Sequence, residues 1–167
     1  MPTPLQLLCS TALSLFFVAC GSDGTTEACT KGQPGAIFSE ALPRGVGQEF
    51  SAEGQSAREL GRFDNQLQLE ILQAGCQTIT QEFRFTWPEE IPEAGPEEWR
   101  RLAAEQFHFL GDVGERYRDY HLYARVIEEL GVDLPLAQAI NLGNGQTLRL
   151  DRITGGGRST IIVELKQ

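Results

Sequence analysis

The chain has 167 residues, 41% hydrophobic and 22% charged, a composition that suits one globular domain with its own core and excludes a disordered chain. Its 23 acidic against 14 basic residues give a formal net charge of −9, and the bases, 12 Arg and 2 Lys, are scattered. A surface of that sign repels phosphate backbones, which excludes nucleic acid as a partner.

Residues 5–19 are apolar or small and carry no charge. The stretch is shorter than the roughly 20 residues a helix needs to span hydrocarbon, and its length suits the apolar region of a signal peptide. Across its end the chain reads Phe17-Val18-Ala19-Cys20-Gly21-Ser22. This resembles the lipobox of bacterial lipoproteins, in which a small residue precedes a cysteine that is acylated and becomes the mature N-terminus. The resemblance covers residues 1–22 and implies nothing about the remainder. It implies that residues 1–19 are a signal peptide and that Cys20 is the lipidation site. The protein would then be held by its lipid at a membrane outside the cytoplasm, in the bacterial cell envelope. A diacylglycerol thioether with an added N-acyl chain exceeds the two signals that stable anchoring needs. Inner and outer membrane are left open.

Residues 20–35, rich in Gly and small polar residues, read as a flexible linker, and 36–167 as a single domain. With Cys9 in the signal peptide and Cys20 acylated, Cys29 and Cys76 remain and are expected to form a disulfide. Two free thiols, or a bridge between molecules through Cys29, are the alternatives.

Residues 36–57 are ambiguous, with short strands possible at 37–38 and 48–50. From residue 66 to 87 the alternation is clear. Leu67, Leu69 and Ile71 share one side of a strand, and Ile79, Phe83, Phe85 and Trp87 share one side of the next, with Gln81 among them. A hairpin turn at Ala74-Gly75 would join the two. The acidic stretch 88–98 lacks the Asp/Asn and Gly spacing of a calcium loop. It reads as a strand stop at Pro88 followed by a helix start at Gly95-Pro96-Glu97-Glu98.

That helix carries a stripe of Trp99, Leu102, Ala103, Gln106, Leu110 and Val113, flanked by Phe107 and Phe109, and should end near Gly111 or Gly114. A second helix is expected over 115–130, with Tyr117, Tyr120, His121, Ala124 and Ile127 facing inward and Gly131 at its cap. Strands over 138–142, 146–153 and 159–166 follow, with Asn144-Gly145 as a type I′ turn and Gly155-Gly156-Gly157 as the last connection. The expected fold class is α+β: an antiparallel sheet of about five to seven strands with two helices packed on one face.

Little chemistry is legible. Glu105-x-x-His108 is half of a di-iron motif without its second half, and helical spacing places Arg101, Glu105, His108 and Asp112 on a face turned to water. No metal and no cofactor are expected. His121 reads as a buried, hydrogen-bonded imidazole among tyrosines. The sequence has no Gly-x-Ser-x-Gly elbow, and residues 153–160 form a glycine turn before a strand where a phosphate loop needs a helix.

The reading that results is a membrane-anchored envelope lipoprotein whose domain binds a protein or saccharide partner, or has an accessory role, without catalysis. One alternative is an envelope hydrolase using paired carboxylates, which sequence alone cannot locate. Another is a small-ligand carrier with a cavity lined by Phe83, Phe85, Trp87, Trp99, Phe107, Tyr117 and Tyr120.

Overall fold

Alternating apolar residues at 57–87 and 146–165 give half-buried antiparallel strands, and the apolar stripes between them give helices. The computed structural model describes Cys29 and residues 32–38, 45–91 and 94–167. The expected signal peptide, Cys20 and most of the expected linker lie outside these residues.

Strands β1 (Gly45–Glu53), β2 (Ser56–Phe63), β3 (Gln68–Ala74) and β4 (Thr80–Trp87) follow one another as a meander. Helix α1 (Pro96–Asp112), a 3₁₀ turn at Glu115–Tyr117, helix α2 (Tyr120–Leu130) and a 3₁₀ turn at Gly131–Asp133 come next. Strands β5 (Ala139–Gly143), β6 (Gln146–Gly155) and β7 (Arg158–Lys166) complete the chain. All seven strands form one sheet in the order β1-β2-β3-β4-β7-β6-β5, and every ladder is antiparallel. The fold is α+β.

The register builds apolar rows across the strands. Ile71 lies opposite Phe83, Phe83 opposite Val163, and Val163 opposite Leu150, all with 0% exposure. Leu69, Phe85 and Ile161 make the adjacent row. Onto these rows α1 brings Phe107, whose ring meets Phe83 at 5.2 Å and Phe85 at 5.6 Å, both edge-on. From α2 the Tyr120 ring meets Phe83 at 5.6 Å. Edge-to-face pairs of this kind stabilise beyond their buried area.

Helix α1 begins as its sequence dictates, with Gly95 as N-cap, Pro96 in the first turn and Glu97 and Glu98 beside the dipole. Its buried face differs from the expected stripe. Trp99, Ala103, Ala104, Phe107, Leu110 and Gly111 are buried, while Leu102 and Gln106 are half-buried. The helix is turned so that its largest ring, Phe107, enters the Phe83/Phe85 row. The second helix is shorter than expected: Gly114 is extended, residues 115–117 form a 3₁₀ turn, and α2 starts at Tyr120. Asn144 and Gly145, at φ 52° and 79°, supply the two left-handed residues of the β5–β6 turn.

The β1–β2 hairpin was not legible in the ambiguous stretch 36–57. Most of β1 is exposed, so it has little apolar pattern, and the inward face of β2 carries Ala57, Glu59 and Gly61 before Phe63. Residues 37–38 are not a strand. They form part of an extended segment bonded to this hairpin by side chains. Glu59 accepts from the Ile37 amide at 2.8 Å and the Phe38 amide at 3.1 Å, and Gln48 donates to Glu59 and to the Phe38 carbonyl. Gln73 donates to the Gly35 carbonyl at 2.6 Å.

Candidate functional site

Helices α1 and α2 run against each other, and the two histidines of the chain meet in their seam. His108 Nδ1 and His121 Nδ1 are 3.1 Å apart. The far nitrogen of each ring has a carboxylate: His108 Nε2 lies 3.0 Å from Glu128, and His121 Nε2 lies 3.2 Å from Asp112. The row thus reads Glu128, His108, His121, Asp112, with the outer groups crossing between the helices. Both rings are about one-third exposed, at 39% and 32% of the side chain.

This corrects two expectations. His108 does not stand on a purely solvated face, because α2 supplies His121 and Glu128 to it. His121 does not sit among tyrosines; its ring lies over Gly111. A Cβ at Gly111 would fall 2.6 Å from that ring, which accounts for a glycine in the last turn of α1. Arg101 and Glu105 behave as expected, pairing on the exposed side of α1, where Glu98 joins them and is held below the usual carboxylate range by its hydrogen bond from Arg101. The imidazole pair was hidden because its members are 13 residues apart on different helices. The one available signal was Gly111, a gap in a helical face wide enough for a ring.

Beside the pair, a groove of about 380 Å³ continues between the helices. Its floor is the buried Ala104 and Ile127, and its rim carries Arg100, Glu105, Glu128 and Val132. Val132 is 82% exposed. Arg100 is fixed by a 2.9 Å bond from its Nε to the Leu134 carbonyl. An apolar floor with ionised edges suits an amphiphilic group, such as a peptide side chain or the face of a sugar. Glu128 belongs to both features, since it lines the groove and accepts from His108.

A smaller cleft lies between Ile37, Gln81, Asp119 and the rings of Tyr117, Tyr120 and Tyr123. Burial raises the Tyr120 and Tyr123 phenols above their ordinary range, so both are neutral hydrogen-bonding groups at any physiological pH. Of the seven aromatic residues proposed as a cavity lining, Phe83, Phe85, Trp99 and Phe107 are fully buried. The first, second and fourth of these rings fill the space with one another. Only the tyrosines face a cleft, and Trp87 is half-buried.

The Cys29 and Cys76 sulfurs are at bonding distance, 2.00 Å, with Cα atoms 4.8 Å apart. Among the described residues no group of three or more His, Cys, Asp or Glu converges as a metal centre, and no helix is long and apolar enough to cross a membrane. Neither a family model, a curated protein nor a solved structure matches this chain.

Proposed function

We propose that the chain is an exported, lipid-anchored domain of the bacterial cell envelope that binds a protein or saccharide partner without turning it over. The observation that carries this reading is the sequence of events at its N-terminus. An apolar stretch ends at an acylatable Cys20, and the domain that follows opens with Cys29 at bonding distance from Cys76. Disulfides persist in oxidising compartments, so the pair supports export independently of the lipobox. In this reading Cys20 carries the lipid and the segment up to Phe38 ties the anchor to the sheet. The two helices cover one face of that sheet, and the groove between them takes the partner.

The test is the Cys20→Ala chain expressed in a bacterial host with a clickable fatty acid. The substitution is expected to abolish labelling and move the protein from the membrane to the soluble fraction. A variant that stays labelled and membrane-bound overturns the proposal.

A further inference from the structure

The facing nitrogens of His108 and His121 pose a proton-counting problem. A carboxylate oxygen only accepts, so the contacts to Glu128 and Asp112 each place a hydrogen on Nε2 of the ring concerned. A neutral imidazole has one N–H. If both rings were neutral, each hydrogen would be on Nε2, and two bare Nδ1 lone pairs would face each other at 3.1 Å. That contact is repulsive. One added proton turns it into an N–H···N hydrogen bond, and a second turns it into two opposed N–H groups on like-charged rings.

The alternative occupant of two facing lone pairs is a metal ion. The ring centroids are 5.3 Å apart and the nitrogens 3.1 Å, a difference of about two ring radii, so both Nδ1 atoms lie nearly on the line between the rings. A metal bound by both rings would sit off that line, with the lone pairs converging at an angle. A collinear arrangement is the geometry of a shared proton.

We propose that His108 and His121 hold one proton between their Nδ1 atoms, and that this shared proton clasps α1 to α2 at the end of the groove, opening when the pair loses it or gains a second. The proton comes from solvent and returns to solvent. The groups that set its window are Glu105 and Asp112 on α1, and Glu128 and Arg125 on α2. Arg125 lies on the same helical stripe, between His121 and Glu128. As pH rises the shared proton leaves and the lone pairs repel. As pH falls a second proton arrives and the rings repel. The clasp is therefore strongest at intermediate pH and weakens in both directions. Because Glu128 also edges the groove, opening the clasp changes the charge and width of that edge.

The test is imidazole ¹⁵N spectroscopy of the full chain in detergent across about pH 5 to 8, the interval in which an ordinary histidine changes charge, with hydrogen exchange of α2 amides measured alongside. The two Nδ1 resonances should move in one coupled step to intermediate shifts while both Nε2 atoms stay protonated, and exchange protection of α2 should peak within the range. In His108→Gln or His121→Gln the remaining histidine should titrate alone and the peak in protection should be lost. Gly111→Ala keeps both imidazoles but pushes the His121 ring aside, and should uncouple them in a chain whose methyl spectrum is unchanged. Independent titration of the two rings in the natural chain overturns the proposal. So does stoichiometric, micromolar or tighter zinc binding by chelator-treated protein with both Nδ1 shifts displaced, which would make the pair a metal site.

Discussion

The centre of the sheet and its N-terminal wing are closed in opposite ways. Over β4, β7 and β6, and at Leu69 and Ile71 of β3, the covered face is Leu, Ile, Phe and Val apart from Ser159 at the edge, and it is closed by rings from α1 and α2. On β2 only Phe63, at the end of the strand, meets a helix ring, that of Phe109; before it the same face presents Ala57, Glu59 and Gly61, and a strip of extended backbone is bonded to Glu59. Apolar contact is strong but undirected. The wing instead uses directed bonds: Glu59 to two amides, Gln48 to a carbonyl, Gln73 to another, and one covalent link. The difference teaches that a stretch of strand with too few apolar residues to hold a helix can be closed by backbone, provided each buried polar group finds a partner.

If this contrast is correct, the centre should be the more costly place to cut. Phe107→Ala removes a fully buried ring that touches Phe83, Phe85, Tyr120 and Tyr123. Truncations of this type cost about 3–5 kcal/mol, and urea unfolding of the variant should show a loss in that range. A loss under about 1 kcal/mol would mean that the centre tolerates a cavity and that the rings do not dominate the core.

In the wing, the largest effect should come from the covalent link. Residues 29 and 76 are separated by 47 positions, and closing such a loop is worth at most roughly 4 kcal/mol on the chain-entropy model. Cys29→Ala with Cys76→Ala should destabilise the domain by up to that amount and expose the Gly35–Phe38 segment to proteolysis before the rest unfolds. Alkylation of the denatured natural protein without reduction should add nothing at these two positions. Two added groups would show that the bond is absent.

The centre was legible for the same reason that it is strong. Leu67, Leu69, Ile71, Phe83 and Phe85 repeat at period two, so strand positions and facing followed from the residues alone. The wing was not legible. A buried Glu59 and a glycine at 61 break the alternation of β2, and nothing local announces that Glu59 will be satisfied by amides 21 and 22 residues earlier. Most of the face of α1 follows from its sequence: Trp99, Ala103, Leu110 and Val113 of the expected stripe are buried, while Leu102 and Gln106 are half-buried and the flanking Phe107 is fully buried. The histidine pair fails to show for a third reason: by its own helix His108 reads as facing water and His121 as buried among tyrosines, and only the crossing of the helices brings the two together.

Glu59 is the polar counterpart of Phe107. Glu59→Ala leaves the amides of Ile37 and Phe38 without an acceptor, a loss of about 1–3 kcal/mol, and should free the segment as disulfide removal does. Burial pushes the Glu59 carboxyl above its ordinary value, and the bonds from Ile37, Gln48 and Phe38 offset part of that. With the folded value raised, the fold favours the protonated carboxyl, and the stability this contributes is full at low pH and is lost as pH rises through the carboxylate range and just above it. The stability of the natural chain should therefore gain on that of Glu59→Gln, which does not titrate, as pH falls from neutral toward about 4. Parallel profiles would show that the bonds balance burial, and a gain in the opposite direction that they outweigh it.

The smallest effect belongs to the other face of the sheet. There Glu70 stands opposite Arg84 in register and contacts Arg58 at 2.6 Å and Arg84 at 3.4 Å, while Arg84 reaches Glu82 at 2.5 Å. Arg58 and Arg84 are 50% and 40% exposed, so water competes for both. Pairs in that setting contribute about 0.2–1 kcal/mol, and salt screens what they contribute. Glu70→Ala should cost no more than this at low ionic strength, and the loss should fall toward zero near 1 M salt, whereas the loss from Phe107→Ala should not shrink. A loss above about 2 kcal/mol that persists in high salt lies outside the range of exposed pairs. It would mean that this face is covered in solution, and the contrast would then lie between two buried faces and not between a buried and a wet one.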